Sequence, residues 1–118
     1  MAHETTQILT REMQECIDEC LRCHNICLQT VSHRLELGGK HADPAHIGHL
    51  LDCAEICQTS ANFMLRGWDR HQLICRACAD ICRACAEDCE RVAGDDRMMK
   101  QCADECRRCQ ESCERMAA

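Results

Sequence analysis

Fifteen of the 118 residues are cysteines, and their spacing is the one expected for side chains on a single face of a helix. Neighbouring cysteines within a segment are separated by steps of three or four residues, the repeat of an inward-facing helical stripe. Thiolates are soft ligands, so a buried row of them indicates binding of soft metal ions. The cysteines are Cys16, Cys20, Cys23, Cys27, Cys53, Cys57, Cys75, Cys78, Cys82, Cys85, Cys89, Cys102, Cys106, Cys109 and Cys113.

Seven pairs of these cysteines follow the pattern Cys-x-x-x-Cys, which places both sulfurs on adjacent turns of one helix. Residues i and i+4 have Cβ atoms roughly 5–6 Å apart, wider than the roughly 3.8 Å that a disulfide prefers. Two such sulfurs can instead lean together over Cu(I), a soft ion that accepts two nearly linear ligands. The pairs are Cys16/Cys20, Cys23/Cys27, Cys53/Cys57, Cys78/Cys82, Cys85/Cys89, Cys102/Cys106 and Cys109/Cys113, which leaves Cys75 unpaired.

Two other uses of the cysteines remain open at this point. Zinc prefers four tetrahedral ligands and often the shorter Cys-x-x-Cys spacing. That spacing also occurs, in Cys20/Cys23, Cys75/Cys78, Cys82/Cys85 and Cys106/Cys109. A zinc or mixed-metal thiolate store is therefore an alternative, and so is a disulfide-linked or redox-active bundle, because helices can be joined to their neighbours by disulfides.

Charge balance favours a monovalent ion. Fifteen buried thiolates without cations would be too costly, so the metal-free protein is expected to hold neutral thiols. If each Cu(I) replaces one proton, the interior stays neutral up to on the order of 15 copper ions, whereas zinc reaches the same charge at about half that number. The sequence thus predicts bulk loading rather than one catalytic site.

Helix start and stop signals divide the chain into four helices, at about residues 5–36, 44–66, 69–92 and 95–116. Gly38 and Gly39 end the first helix, and Asp43-Pro44 supplies an N-cap and a first-turn proline for the second. Gly94 ends the third helix, and Asp95 is predicted to cap the fourth. With short turns between them, these helices predict an all-α, antiparallel up-down-up-down four-helix bundle with a cysteine-lined core.

This topology predicts which residues share each end of the bundle. Met13, Met64, His71 and Met116 are expected at one end as further soft ligands around the outermost cysteines. The opposite end is expected to collect His33, His46, His49, Val92 and either Met98 or Met99. His24, His33, His41, His46 and His49 are predicted to be solvated or loop residues rather than ligands.

Composition limits the class of protein. A chain of this length makes one domain, residues 1–118, and Leu, Ile, Val and Phe supply only 19 residues, so the cysteines must complete the core. The net charge of −6 argues against a nucleic-acid partner. No apolar run is long enough for a membrane span, and the N-terminus lacks a secretory signal, which predicts a cytoplasmic protein with reduced thiols.

The Cys-x-x-x-Cys pairs in a predicted four-helix bundle resemble the bacterial copper storage proteins, over roughly residues 13–116. The resemblance implies a four-helix bundle that assembles as a tetramer and fills its interior with Cu(I), and it implies copper chaperones or chelators as partners. Without an export signal, the chain is similar to the cytosolic branch, whose role would be copper storage and detoxification. Family members place Met or His at one open end, which the four residues named above match by position. Helix 2 departs from the pattern, with only Cys53 and Cys57.

An enzymatic function is not expected. The sequence contains no nucleophile–base arrangement and no Gly-rich phosphate loop. A redox or iron–sulfur role would call for a run such as Cys-x2-Cys-x2-Cys-x3-Cys-Pro, and the single proline, Pro44, follows no cysteine. A small-residue core without any ligand is the remaining structural alternative.

Overall fold

The computed structural model describes residues 9–67 and 69–118, which fold into four α-helices. The helices are α1 (Arg11–Leu37), α2 (Pro44–Leu65), α3 (His71–Val92) and α4 (Arg97–Ala117), and a short 3₁₀-helix at Gly39–Ala42 precedes α2. The predicted all-α four-helix bundle with cysteines in its core is therefore confirmed. The 3₁₀-helix was not predicted.

The first helix begins later than the sequence predicts. Thr10 is its N-cap, in an extended conformation, and its side-chain oxygen accepts a hydrogen bond from the backbone N–H of Met13 at 3.0 Å. Leu9 and Thr10 consequently lie before the helix, and the predicted start at residue 5 lies outside the described residues. At the other end, α1 extends one residue further than predicted, to Leu37.

Asp96, not Asp95, caps the last helix. Its carboxylate accepts a hydrogen bond from the backbone N–H of Met99 at 3.2 Å, so α4 begins at Arg97. Asp43 caps α2 as predicted, and Pro44 follows at the first helical position. The remaining limits shift by one or two residues, since α2 ends at Leu65 and α3 begins at His71.

Glycines with positive φ shape the turns after α1 and after α3. Gly38 has a φ of +69° and its N–H closes the end of α1 on the carbonyl of Arg34 at 3.1 Å. Gly94, with a φ of +54°, turns the chain between α3 and α4. A side chain at either position would be strained, because L-residues other than glycine rarely adopt positive φ.

Sulfur contacts show that neighbouring helices run antiparallel. Cys16 near the start of α1 contacts Cys113 near the end of α4 at 3.8 Å, and Cys27 contacts Cys102 at 3.8 Å. Likewise, α2 and α3 pair Cys53 with Cys82 at 3.7 Å and Cys57 with Cys78 at 3.8 Å. Residue numbers rise on one helix as they fall on the next, which is the up-down-up-down arrangement.

Small side chains make up most of the core. All fifteen cysteines are fully buried, together with several alanines, and the larger apolar side chains buried beside them are Ile17, Leu50, Met64 and Met99. Cysteine behaves here as a small hydrophobe, and its small volume lets the four helices approach closely. Among the described residues, none of the helices combines the length and apolar character needed to span a membrane.

Candidate metal centre

The sulfur atoms form a column along the axis of the bundle. Their shortest contacts join different helices, as in Cys20–Cys113, Cys23–Cys53 and Cys57–Cys82, each at 3.6 Å. All the cysteines are free thiols, so the disulfide-linked bundle is not what the structure contains. A column of closely spaced, reduced sulfurs is suited to binding soft metal ions.

The column resolves into five overlapping groups in which every sulfur lies within 4.8 Å of the others. Four groups contain four thiols and one contains three, and each draws on at least three helices. The groups are Cys16/Cys75/Cys113, Cys20/Cys78/Cys109/Cys113, Cys57/Cys78/Cys82/Cys109, Cys23/Cys53/Cys57/Cys82 and Cys23/Cys27/Cys53/Cys106.

Grouping across helices differs from the pairing predicted within each helix. Only two of the seven predicted pairs make direct sulfur–sulfur contact, Cys78–Cys82 at 3.8 Å and Cys109–Cys113 at 4.0 Å. Cys75, which the sequence left unpaired, joins a group with two cysteines of other helices. The intrahelical spacing therefore identifies the buried face of each helix, and which thiols share an ion stays a prediction.

Three buried cysteines belong to none of the groups: Cys85, Cys89 and Cys102. Helix α2 explains this, because it supplies Leu50 rather than cysteine at this level of the bundle. Cys53 of α2 contacts Cys82 of α3. Leu50 precedes Cys53 by three residues and Cys85 follows Cys82 by three residues, so Leu50 and Cys85 face each other in this antiparallel pair. The sulfur column is consequently thinner at this end.

Contacts between the thiols raise the pKa of most of them and lower the pKa of others. Hydrogen bonds with neighbouring thiols outweigh burial and lower the pKa of Cys16, Cys23, Cys53, Cys78 and Cys102. Hydrogen bonds with neighbouring thiols, and burial after them, raise the pKa of Cys57 and of Cys106 well above 9. For Cys75, contact with Cys113 lowers the pKa, but contact with Cys16 and burial outweigh it and raise the pKa to about 12. Metal binding must therefore displace protons from these thiols.

The end of the bundle beyond Cys16, Cys75 and Cys113 carries the four additional residues predicted there. Met64 is fully buried, whereas Met13, His71 and Met116 are half-buried. Met13 and Met116 pack against the core. In the sequence, Met13 precedes Cys16 by three residues and Met116 follows Cys113 by three residues. The role of these methionines as ligands stays a prediction.

At the opposite end, His46 differs from the prediction of a solvated side chain. It is 3% exposed, and its Nδ1 donates to Asp88 Oδ2 at 2.6 Å. Asp88 also accepts from Arg91 at 2.6 Å, while His46 Nε2 is buried without a hydrogen-bond partner among the described residues. A carboxylate on one ring nitrogen leaves the other free to ligate metal. The signal was present in the sequence, because His46 precedes Cys53 by one heptad.

Arg34 is the other unexpected buried group at this end. It is 3% exposed, donates to Asp96 Oδ2 at 3.0 Å and to the carbonyl of His41 at 3.1 Å, and so ties α1 to the start of α4. His33 reaches the same carboxylate oxygen at 2.8 Å. Of the two methionines predicted here, Met99 is the one that is fully buried.

Two carboxyl groups meet outside the sulfur column, between α1 and α4. Burial first, and the hydrogen bond with Glu19 second, raise the pKa of Glu105 to about 8. Burial acts against ionisation of Glu19 as well, but hydrogen bonds with Glu105 and Arg22 outweigh it and hold its pKa below the usual value. The proton that the pair shares therefore resides on Glu105.

Replacing Glu105 by Gln should change how stability depends on pH in the reduced, metal-free protein. The raised pKa means that protonated Glu105 stabilises the fold below about pH 4.5, and that this contribution is lost as pH rises towards 8. Glu105→Gln stays neutral, so its free energy of unfolding should rise relative to the parent between about pH 5 and pH 8. Urea unfolding followed by circular dichroism measures this difference. Glu111→Gln, at an exposed position of α4, is the control, and parallel pH profiles for parent and Glu105→Gln would contradict the assignment.

Comparison with known proteins gives one consistent result. A family model described as copper storage protein matches residues 9–118. No curated protein sequence gives a significant match.

Three relatives of known structure are similar over most of the chain. The Nmul_A1745 protein from Nitrosospira multiformis is 45% identical with a TM-score of 0.83, over 91% of this chain and 95% of that one. A cytosolic copper storage protein from Streptomyces lividans, solved with five coppers, is 32% identical with a TM-score of 0.83, over 90% and 92% of the two chains. The Cu(I)-bound copper storage protein BsCsp3 is 31% identical with a TM-score of 0.85, over 92% and 100%.

Proposed function

Because this chain belongs to the copper storage protein family, we propose that it stores Cu(I) along the sulfur column of its bundle. The observation that carries the proposal is the burial of fifteen free thiols in overlapping groups that cross the helices. Similarity to structures solved with bound copper supports it. One tightly held ion would need only a single group, so the continuous column favours storage of many ions.

Charge supports copper in its monovalent form. Arg34, at the far end of the bundle, is the one Lys or Arg side chain among the buried residues that the structure describes, so no basic side chain lines the sulfur groups. Each Cu(I) that replaces a thiol proton leaves the interior neutral, up to on the order of 15 ions. A protein that held its thiols as free anions would instead need buried cations to balance them.

All fifteen cysteines are proposed as ligands, with Met13, Met64, His71 and Met116 as further ligands at the end where the cysteines of α1, α3 and α4 are outermost. Thioethers are soft ligands for Cu(I) and stay uncharged, which suits a partly buried site. His46 extends the set at the opposite end, because Asp88 orients its ring and Nε2 is buried without a partner.

Zinc is the second candidate, and the four groups of four thiols favour it, because four sulfurs are the number that zinc prefers. Four thiolates around one Zn²⁺ would leave two negative charges in a core without a compensating cation. Competition separates the two functions: a copper store keeps Cu(I) in the presence of excess zinc, whereas a zinc store exchanges it.

The wider setting is also proposed. Storage rather than catalysis is supported by family membership, and a cytoplasmic location by the reduced state that the thiols need. Copper chaperones or small chelators would deliver and remove the ions. Assembly into a homotetramer is supported by half-exposed leucines on the outer faces of α1 and α2, Leu28, Leu35 and Leu51, at 42–54% exposure. Light scattering of the purified chain measures this assembly.

Titration of the reduced chain with Cu(I) against a competing chelator tests the storage function. We expect many equivalents to bind without loss of helical content, and protons to be released on loading, because the raised pKa of thiols such as Cys57 and Cys106 keeps them neutral beforehand. Circular dichroism follows the helices, and a pH-stat counts the protons. Saturation at one or two copper ions would exclude storage, and loading without proton release would contradict the neutral-thiol core.

A further inference from the structure

The outermost group of sulfurs differs from the other four. Cys16 of α1, Cys75 of α3 and Cys113 of α4 lie with all sulfurs within 4.8 Å of one another, and Cys16 and Cys113 are 3.8 Å apart. Every other group contains four thiols. Three helices therefore supply one sulfur each to a three-sulfur site, and all three side chains are fully buried.

Helix α2 supplies a hydroxyl at this level instead of a fourth thiol. Cys57 of α2 contacts Cys78 of α3 at 3.8 Å. In this antiparallel pair, moving three residues forward along α2 and three residues back along α3 brings Ser60 to the level of Cys75. Ser60 is fully buried, and its Oγ has no hydrogen-bond partner among the described residues. A hydroxyl is a hard, neutral group, so this layer presents three soft ligands and no more.

Charge distinguishes which ion suits three thiolates. One Cu(I) would leave this group with two negative charges unless sulfurs are shared with further ions, and a divalent ion would leave one. A trivalent soft ion leaves none, which is the least costly state in a core whose described part has no buried Lys or Arg near this end. Trivalent arsenic meets the requirement for three positive charges and the requirement for three sulfur ligands. Its fourth direction holds a lone pair.

We propose that Cys16, Cys75 and Cys113 form a binding site for trivalent arsenic. Arsenite reaches the site as the neutral acid As(OH)₃, and the overall reaction consumes three thiols. Three As–O bonds break and three As–S bonds form, and each thiol proton leaves with a hydroxyl group as water. No electron is transferred and no proton is released to solvent. This activity goes beyond copper storage and does not depend on it. Copper and arsenic would compete for the same sulfurs.

The surroundings of the site suit a neutral reactant. Met13 and Met116 are half-buried and pack against the core at this end, and Met64 is buried. Thioether side chains present no charge to a small neutral acid on its path to the thiols.

Arsenite binding to the reduced, copper-free chain tests the proposal. We expect native mass spectrometry to show a first tightly bound arsenic whose mass increase corresponds to one arsenic less three hydrogens. X-ray absorption should report three sulfurs and no oxygen around it. Affinity is measured by competition with a small dithiol. Cys75→Ser and Cys113→Ser should each weaken it by at least about tenfold, because one of three bonds is lost.

Cys89→Ser is the matched control. Cys89 is an equally buried cysteine of α3 that belongs to none of the sulfur groups, so this variant should stay within about twofold of the parent. Circular dichroism verifies that each variant is folded, and the agreement of Cys75→Ser with Cys113→Ser guards against a packing defect in one of them. Equal weakening by Cys89→Ser would overturn the assignment, and so would unchanged affinity in both Cys75→Ser and Cys113→Ser. Arsenic bound through oxygen in the parent would also overturn it.

Discussion

Replacing Cys53 and Cys57 together by serine should lower the copper capacity by far more than the loss of two thiols accounts for. These are the only cysteines that α2 contributes, and one or both of them belong to three of the four four-thiol groups. Without them, one group retains two thiols and two groups retain three. We expect capacity to fall by about a third or more, because neighbouring ions lose the sulfurs that they share. Cu(I) titration against a chelator measures it.

The double variant Cys85→Ser/Cys89→Ser is the control for this prediction. It also removes two fully buried cysteines that are at positions i and i+4 of one helix, yet neither belongs to a group of three or more thiols. Its capacity should fall by about two ions at most, which is what charge neutrality alone requires. Circular dichroism compares the folding of the two variants. Equal losses of capacity would mean that only the number of thiols matters and that the groups have no separate role.

Copper loading should stabilise the fold strongly, and this is the second large effect. The metal-free core has few large apolar side chains, with Ile17, Leu50, Met64 and Met99 as the main ones, so its hydrophobic stabilisation is small. Each site filled at a hundred times its dissociation constant adds about 2.7 kcal/mol. A few such sites match the whole stability of an ordinary domain, which is about 5–15 kcal/mol.

Urea unfolding of the loaded and metal-free chains measures this stabilisation. We expect the loaded chain to remain helical at urea concentrations that unfold the metal-free chain, and a strong Cu(I) chelator to reverse the difference. Zinc at the same concentration is the comparison, since a copper store should gain less from it. Identical midpoints for loaded and metal-free protein would show that the thiols do not cross-link the helices through copper.

The helical fold could be predicted because the cysteine spacing and the helix period coincide. Steps of three and four residues put the thiols on one face, and Gly38, Asp43 and Gly94 separate the helices. The limits were less accurate where two adjacent residues could serve as a cap. Asp95 and Asp96 are equivalent by composition, and only the contact of Asp96 with Met99 identifies the cap. The single-domain organisation of residues 1–118 stays a prediction.

The sulfur groups that cross the helices could not be predicted, because they depend on the register between helices. Pairs such as Cys16/Cys20 follow from one helix alone, whereas the contact of Cys20 with Cys113 requires the relative heights of α1 and α4. His46 was assigned to solvent for a related reason. Its burial follows from the heptad step to Cys53 together with the position of Asp88 on α3, and the second of these is visible only in three dimensions.

Overlap between the sulfur groups has a consequence for movement of the ion. Cys78 and Cys109 belong to two adjacent groups, and Cys57 and Cys82 connect the second of these to a third. An ion can therefore migrate along the axis by exchanging one thiolate at a time, without ever entering water or a fully uncoordinated state. A single opening then suffices to fill the whole length. This relay narrows where Leu50 replaces sulfur on α2 and Cys102 adjoins Cys27 at 3.8 Å, so the last thiols should exchange copper more slowly than the rest.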